Sequence, residues 1–228
     1  MKLTEKLFIY PWQGRGNNCN AYLYAGQKTI LIDPGHIQNE TGARCIQMLL
    51  DSMQADGFSL DDLDLVLCTH GHPDHCEGVT AIKEQKDINV AMHREEESHM
   101  QVLAQLFERM TGKRPPLPGI DIFLEEGTLE LGDENLDTIQ VLTTPGHSPG
   151  SLSFFFPDEK ALITGDAVFQ GSIGRTDFPG GDHSTLGNSV RKLAALEEVE
   201  LLLPGHMGIV KGKDAVQKNF AMIQRMFF

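Results

Sequence analysis

Seven consecutive residues, 69–75, carry much of the chemistry that this sequence offers. The segment runs Thr-His-Gly-His-Pro-Asp-His and follows an apolar stretch that ends at Cys68. Imidazole and carboxylate groups are good ligands for zinc and also for iron. Three more such groups follow tight turns downstream, at His147, Asp166 and His206. These residue types at the ends of apolar runs predict a metal centre of the hydrolytic kind.

The spacing within this segment predicts two adjacent metal positions. In an extended backbone alternate side chains point the same way, so His70 and His72 share one side. A turn at Pro73 then brings Asp74 and His75 to a neighbouring point. Two ions about 3.5–4 Å apart can act together on a carbonyl and its leaving group. Three His and one Asp at these offsets arise by chance in roughly one of a thousand such chains.

Apolar runs and their periodicity predict strands and helices in two similar halves. The predicted strands are 8–12, 21–24, 29–33, 63–68, 89–92, 122–124, 128–131, 139–143, 151–156, 161–164 and 200–203. The predicted helices are 43–55, 79–86, 95–110, 186–196 and 214–226, and residues 111–119 are predicted to form a loop. In the helix 95–110 we expect four apolar side chains to face inward, those of Met100, Leu103, Leu106 and Phe107. Two such halves predict two packed sheets with helices on both outer faces.

Length and composition limit the classes of protein. The 228 residues suit one domain, and the formal charge of −13 argues against nucleic acid as a partner. The first residues lack the pattern of a signal peptide, and no apolar run is long enough to span a membrane, so we expect a cytoplasmic protein. The four cysteines form no C-x-x-C pair and are expected to be buried thiols. The oligomeric state stays open.

The sequence resembles the metallo-β-lactamase superfamily over nearly its whole length. The H-x-H-x-D-H motif of that superfamily matches residues 70–75, and its later histidine, bridging aspartate and final histidine match His147, Asp166 and His206. Asp33, in Ile-Asp-Pro-Gly, matches the early aspartate that supports the metal loop. The resemblance implies a four-layer αββα sandwich of the α/β (α+β) class, formed by residues 1–228 as a single domain.

The same resemblance implies a set of ligands and a reaction. The ligands form a first site, a second site and a bridge between them: His70, His72 and His147; Asp74, His75 and His206; and Asp166. Two divalent metal ions are implied, with zinc ahead of iron or manganese. A metal-bound hydroxide would attack a carbonyl group, and Asp74 would help to orient or deprotonate the water.

Within the superfamily, residues 169–178 resemble those of compact bacterial glyoxalase II-like (hydroxyacylglutathione hydrolase-like) proteins. This implies that the chain hydrolyses a small thioester of the hydroxyacyl-glutathione type, a thiol conjugate, or a related ester. Persulfide dioxygenases share the Gly-Arg-Thr-Asp core of this segment and bind a single iron through residues matching His70, His147 and Asp166, so this chemistry is the alternative. A third interpretation is a non-catalytic metal-binding module, against which the complete ligand set argues.

Other residues are predicted to support the site or the substrate. Arg175 and Asp177 are expected beside the ligands, and on one interpretation they form a buried ion pair that fixes the loop after Asp166. His183 opens a predicted helix and is expected to approach the site. The remaining single histidines are expected to have structural roles: His36, His93 and His99.

The end of the chain bears on substrate recognition. Only 22 residues follow His206, so we expect no separate helical C-terminal domain of the kind that supplies glutathione contacts in larger glyoxalase II enzymes. Lys113 and Arg114, in the Pro-rich loop, are candidate replacements for binding a substrate carboxylate.

Overall fold

Two six-stranded sheets form the centre of the protein. The computed structural model describes residues 1–129 and 138–228, and within them the two sheets pack face to face with helices on their outer sides. The last two residues of the predicted strand 128–131 lie outside the described residues.

The first sheet follows chain order: β1 (Leu7–Tyr10), β2 (Ala21–Ala25), β3 (Thr29–Ile32), β4 (Leu65–Leu67), β5 (Asn89–His93) and β6 (Ile122–Leu124). Strands β1 to β3 pair antiparallel, whereas β3 to β6 pair in parallel. Parallel pairs need long crossover connections, and these carry helices. Because side chains alternate along a strand, Ile30 and Ile32 face the second sheet while Leu31 faces the helices.

The second sheet also follows chain order: β7 (Gly127–Thr128), β8 (Gln140–Thr143), β9 (Leu152–Phe156), β10 (Ala161–Gly165), β11 (Leu201–Pro204) and β12 (Val210–Lys211). Only β10 and β11 pair in parallel among its described strands. The alternation repeats here, since Phe154 and Phe156 face the first sheet and Phe155 faces away. The sequence did not predict β12, because two residues are too few to show alternation.

The helices lie outside the sheets: α1 (Cys45–Ala55), α2 (Pro73–Cys76), α3 (Gly78–Lys83), α4 (Arg94–Thr111), α5 (His183–Ala194) and α6 (Lys213–Phe227). One buried apolar cluster lies between the sheets, a second joins the first sheet to α1–α4, and a third joins the second sheet to α5 and α6. These layers confirm the predicted αββα sandwich.

Two predictions about helices need correction. The turn expected at Pro73 is the first residue of α2, a position that suits proline because its missing N–H has no partner there in any case. On α4, Leu106 and Phe107 do not face the core, and they are 37% and 48% exposed. They line an open cavity, which an apolar periodicity does not distinguish from a core.

The topology brings four strand ends to one edge of the sandwich. Asp33 directly follows β3, and residues 68–72 follow its parallel neighbour β4. Asp166 directly follows β10, and His206 comes two residues after its parallel neighbour β11. Ligand sites in α/β sheets commonly lie beyond the carboxyl ends of parallel strands, and the candidate site lies at such an edge.

Candidate metal centre

Asp33 holds the loop that carries the first ligands in place. Its φ of 53° is in the left-handed region, which Asp tolerates better than most residues. The carboxylate accepts hydrogen bonds from Thr69 N (2.8 Å), Thr69 Oγ1 (2.7 Å) and His75 Nδ1 (2.9 Å). One buried side chain therefore fixes both the start of the loop and the orientation of the His75 ring.

Three histidines direct ring nitrogens at a common point. His72 Nδ1 lies 3.1 Å from His70 Nε2 and 2.9 Å from His147 Nε2. The opposite nitrogen of His147, Nδ1, donates to the carbonyl oxygen of Arg175 at 2.8 Å, which leaves the Nε2 lone pair facing the point. Nitrogens bound to one tetrahedral zinc at 2.0–2.1 Å lie about 3.4 Å apart, so this group fits such an ion closely.

Burial keeps the first two of these rings neutral. Removal from water, reinforced by the neighbouring histidines, lowers the pKa of His70 well below its usual value. Burial and the nearby His147 likewise lower the pKa of His72 to about 3. Neutral imidazole is the form that binds metal ions.

A second group lies beside the first. His206 Nε2 is 3.3 Å from His75 Nε2 and 3.2 Å from Asp74 Oδ2. Asn17 Nδ2 donates to the same Asp74 oxygen at 2.7 Å. Burial opposes ionisation of Asp74, but the hydrogen bond from His206 and the charge of His75 hold its pKa well below the usual value.

Asp166 stands between the two groups. Its Oδ1 lies 3.2 Å from His75 Nε2, and its Oδ2 lies 3.5 Å from both His147 Nε2 and His206 Nε2. Burial alone would lower the pKa of His206, but hydrogen bonds to Asp166 and Asp74 raise it to about 9. The carboxylates therefore favour positive charge at this point, as expected of a cation site.

The seven predicted ligands lie together as one cluster of neighbouring ligand atoms. Three overlapping sets have their ligand atoms within 4.8 Å of one another: His70, His72 and His147; His70, His75 and Asp166; Asp74, His75 and His206. The donor atoms, their spacing and the neutral rings of His70 and His72 suit a pair of divalent ions.

Glu96 is a component of the site that sequence reasoning missed. It lies in the first turn of α4 and is fully buried. Its Oε2 accepts from Gly71 N, and its Oε1 accepts from Ser148 Oγ and Gly150 N, each at 2.7 Å. One carboxylate thus joins the loop of His70 and His72 to the loop of His147. The sequence held one signal for this residue: Glu96, Met100 and Ala104 are spaced four residues apart, which puts all three on the buried face of the helix.

Arg175 and Asp177 form an ion pair, but it is not buried. The Arg175 Nε and Asp177 Oδ1 atoms are 2.7 Å apart, and the side chains are 57% and 70% exposed. The prediction of a buried pair is therefore wrong, because the loop turns both side chains outward while the Arg175 carbonyl turns inward to His147. The Arg175 guanidinium lies 3.9 Å from the centre of the Phe178 ring.

Other predicted residues lie away from the cluster. His183 Nε2 is 2.9 Å from the carbonyl oxygen of Phe227, and its ring packs on Phe228, so it faces α6 rather than the site. Arg114 pairs with Glu108 at 3.2 Å. Neither Arg114 nor Lys113 is among the residues that line the cavity described below.

The single histidines and the cysteines have varied surroundings. His36 Nδ1 lies 2.8 Å from Glu77 Oε2, and His93 caps α4, as expected of structural residues. His99 is buried with its ring centre 5.8 Å from that of His72. The four cysteines are free and buried, which confirms that prediction.

A cavity of about 860 Å³ opens over the cluster. His72, Asp74, His147, Asp166 and His206 line its floor. Apolar side chains line its walls, most of them from α4 and from residues 115–118 and 169–178. Across the described ranges, no helix has the length and apolar character needed to cross a membrane.

The chain is similar to several known proteins. The sequence model of the metallo-β-lactamase superfamily matches its residues 14–206. Hydroxyacylglutathione hydrolase GloC of Haemophilus influenzae is 32% identical over 87% of this chain and 89% of its own length. Probable metallo-hydrolase MJ0888 of Methanocaldococcus jannaschii is 33% identical over 87% of this chain and 92% of its own. The crystal structure of TTHA1623 in a di-iron-bound form has a TM-score of 0.71 and 31% identity, covering 93% of this chain and 98% of that one.

Proposed function

The chain belongs to the metallo-β-lactamase superfamily, and from that premise we propose that it is a two-metal hydrolase of thioesters or related small esters. The observation that carries the proposal is the position of Asp166 between the two groups. Its carboxylate oxygens lie 3.5 Å from His147 Nε2 in the first group, and 3.2 and 3.5 Å from the Nε2 atoms of His75 and His206 in the second. A bridging carboxylate between two complete ligand sets suits a pair of ions better than a single one.

The comparisons support both parts of this proposal. The relative GloC is named for hydrolysis of a hydroxyacylglutathione, which is a thioester. The structure of TTHA1623 is described as holding two irons. We assign His70, His72 and His147 to one ion of this chain, with Asp74, His75 and His206 at the other. Zinc is the first candidate, and iron and manganese accept the same ligands.

Two bound ions would supply a nucleophilic hydroxide at neutral pH and stabilise negative charge on the carbonyl oxygen. The residues of the chain do the positioning. Asp74 is held by Asn17 and His206, so its carboxylate is fixed where it can accept a hydrogen bond from a water on the floor of the cavity.

The first experiment measures metal content and reaction together. Protein purified without added metal is assayed for zinc, iron and manganese per chain, and then for hydrolysis of S-lactoylglutathione and simple thioesters. Oxygen uptake is followed in parallel with glutathione persulfide as substrate. Thioester cleavage that is lost on chelation and restored by metal supports the proposal. Oxygen consumption without thioester cleavage would refute it in favour of the dioxygenase.

Variants test the assignment of ligands to two sites. Asp166→Asn and His206→Ala should each lower the metal content from two ions per chain towards one and reduce hydrolysis. His183→Gln is the matched control, because His183 contacts α6 and not the cluster. If His206→Ala kept two ions and full activity, the second site would be wrong.

A further inference from the structure

Helix α4 carries an apolar stripe that starts in the core at Met100 and continues into the cavity. Met100, Leu103, Phe107 and Met110 follow the i, i+3, i+7, i+10 spacing of one helix face, and all four line the cavity. Towards the C-terminal end this face is open, since Phe107 is 48% and Met110 77% exposed. Exposed apolar patches of this kind commonly mark binding surfaces.

The stripe is continuous with the proposed reaction site. Other residues of the cavity lining are also apolar, among them Phe169, Ile173 and Phe178. The floor between these walls carries His72 and Asp166. A molecule whose reacting group lies on the floor must therefore place its remaining atoms against apolar surface.

Away from the metal ligands, the cavity offers little to an anionic part of a substrate. Bound ions would neutralise Asp74 and Asp166, and the remaining acidic residue of the described lining is Glu77. Within residues 1–129 and 138–228, Arg175 is the one Lys or Arg in the lining, and Asp177 Oδ1 and Oδ2 accept from its guanidinium at 2.7 and 2.8 Å. A carboxylate placed against these walls, away from the ions, would lose water and gain little in return.

We propose that the substrate is an acyl thioester whose acyl group is an uncharged apolar chain, lying along α4, and whose thiol part is uncharged. This rests on the proposed hydrolysis at the cluster. Water adds its oxygen to the carbonyl carbon, the C–S bond breaks, and the products are a carboxylic acid and a thiol that takes up the remaining proton. The recognised feature is the chain, which α4 removes from water.

The test uses the metal-loaded full-length protein and thioesters of N-acetylcysteamine, from acetyl to decanoyl. Burial of a methylene contributes about 0.8 kcal/mol, so kcat/KM should rise about twofold to fourfold per added methylene until the cavity is filled. Hexanoyl-glutathione and hexanoyl-N-acetylcysteamine carry the same acyl chain, on a large anionic thiol in the first and a small neutral thiol in the second, and the neutral thioester should have the higher kcat/KM.

Two substitutions on α4 separate the cavity wall from the rest of the helix. Phe107→Ser should flatten the dependence of kcat/KM on chain length. Val102→Ser is the control, because Val102 is 51% exposed and is not in the lining. Both side chains lie largely outside the core, and Met110→Ser provides a second variant should Phe107→Ser not fold.

The outcomes distinguish this inference from the proposed function. Cleavage of thioesters with no dependence on chain length, or with equal preference for hexanoyl-glutathione, overturns the inference and leaves the hydrolase standing. Loss of a dimer in Phe107→Ser, with an unchanged chain-length dependence, also overturns it, because the face would then be a subunit contact. Failure to cleave any thioester or ester overturns the proposed function itself.

Discussion

Substitution of Glu96 by Gln tests whether one buried carboxylate holds the two histidine loops together. Gln has the same shape but only one acceptor oxygen, whereas Glu96 accepts hydrogen bonds at both of its oxygens, from Gly71, Ser148 and Gly150. The Ser148 hydroxyl can rotate and accept from the new amide. The two backbone N–H groups cannot, so one of them loses its partner in either orientation of the amide.

The magnitude follows from these contacts. A hydrogen bond to a charged group contributes about 1.5–3 kcal/mol, and a buried donor without a partner costs about 1–3 kcal/mol. Because Gln is uncharged, the variant avoids the free-energy cost of burying a charge, and this offsets part of the loss. We therefore expect Glu96→Gln to lower the free energy of unfolding by about 2–4 kcal/mol.

Two measurements locate the effect. Urea unfolding of the metal-free protein gives the change in stability, and competition with a chromophoric chelator gives the change in metal affinity. Because the loops must come together to bind metal, affinity should fall about 10- to 100-fold, as for other residues that orient metal ligands. Glu97→Gln is the matched control: Glu97 is an exposed neighbour, and the change should cost no more than about 0.5 kcal/mol. Equal effects of the two substitutions, or unchanged metal affinity in Glu96→Gln, would refute the reasoning.

Two further predictions concern a glycine near the site and the residue that caps α5. A Cβ at Gly174 would overlap the Asp166 carbonyl oxygen, so Gly174→Ala should lower the free energy of unfolding in urea by about 1–3 kcal/mol or more. Gly119→Ala is the control and should leave stability unchanged, because its Cβ would meet only a lysine amine 3.7 Å away. Equal stability of the two variants would contradict this. Asp182 caps α5, and hydrogen bonds from Thr185 and Ser184 lower its pKa to about 2. Because the unfolded value is near 3.9, this stabilisation is complete above about pH 4 and is lost as pH falls towards 2. The difference in Tm between wild type and Asp182→Ala should therefore narrow below pH 4, and a constant difference would argue against it.

The layers of the fold could be predicted because strand alternation is a local property. In β3, Ile30 and Ile32 face the layer between the sheets, and Leu31 faces the layer under the helices. Both layers are apolar, so the strand is apolar throughout. Such runs followed by turns reveal parallel strands buried on both faces. The short strand at 210–211 is too brief to carry a pattern, and tertiary pairing alone defines it.

The clustering of the candidate ligands could be predicted because their side chains closely follow strand ends. Asp166 and His206 follow the parallel neighbours β10 and β11, and His147 follows β8, which runs in the same direction as β10 because β9 pairs antiparallel with both. Asn17 and Glu96 could not be found in this way. Each acts through partners 57 or 25–54 positions away along the chain, and neither forms a short motif with them.

Helix α4 shows what the sequence pattern leaves open: what each face of a helix contacts in the folded protein. Its periodicity establishes which side chains share a face, but not whether that face meets a core, a charged loop or an open cavity. All three environments occur along its length: Glu96 binds the histidine loops, Ala104 is buried, and Phe107 lines the cavity. The same rigid element therefore positions the ligand loops at one end and the proposed substrate chain at the other. A displacement of α4 by the substrate would act directly on the loops that Glu96 joins, so substrate binding and metal binding are expected to be linked through this helix.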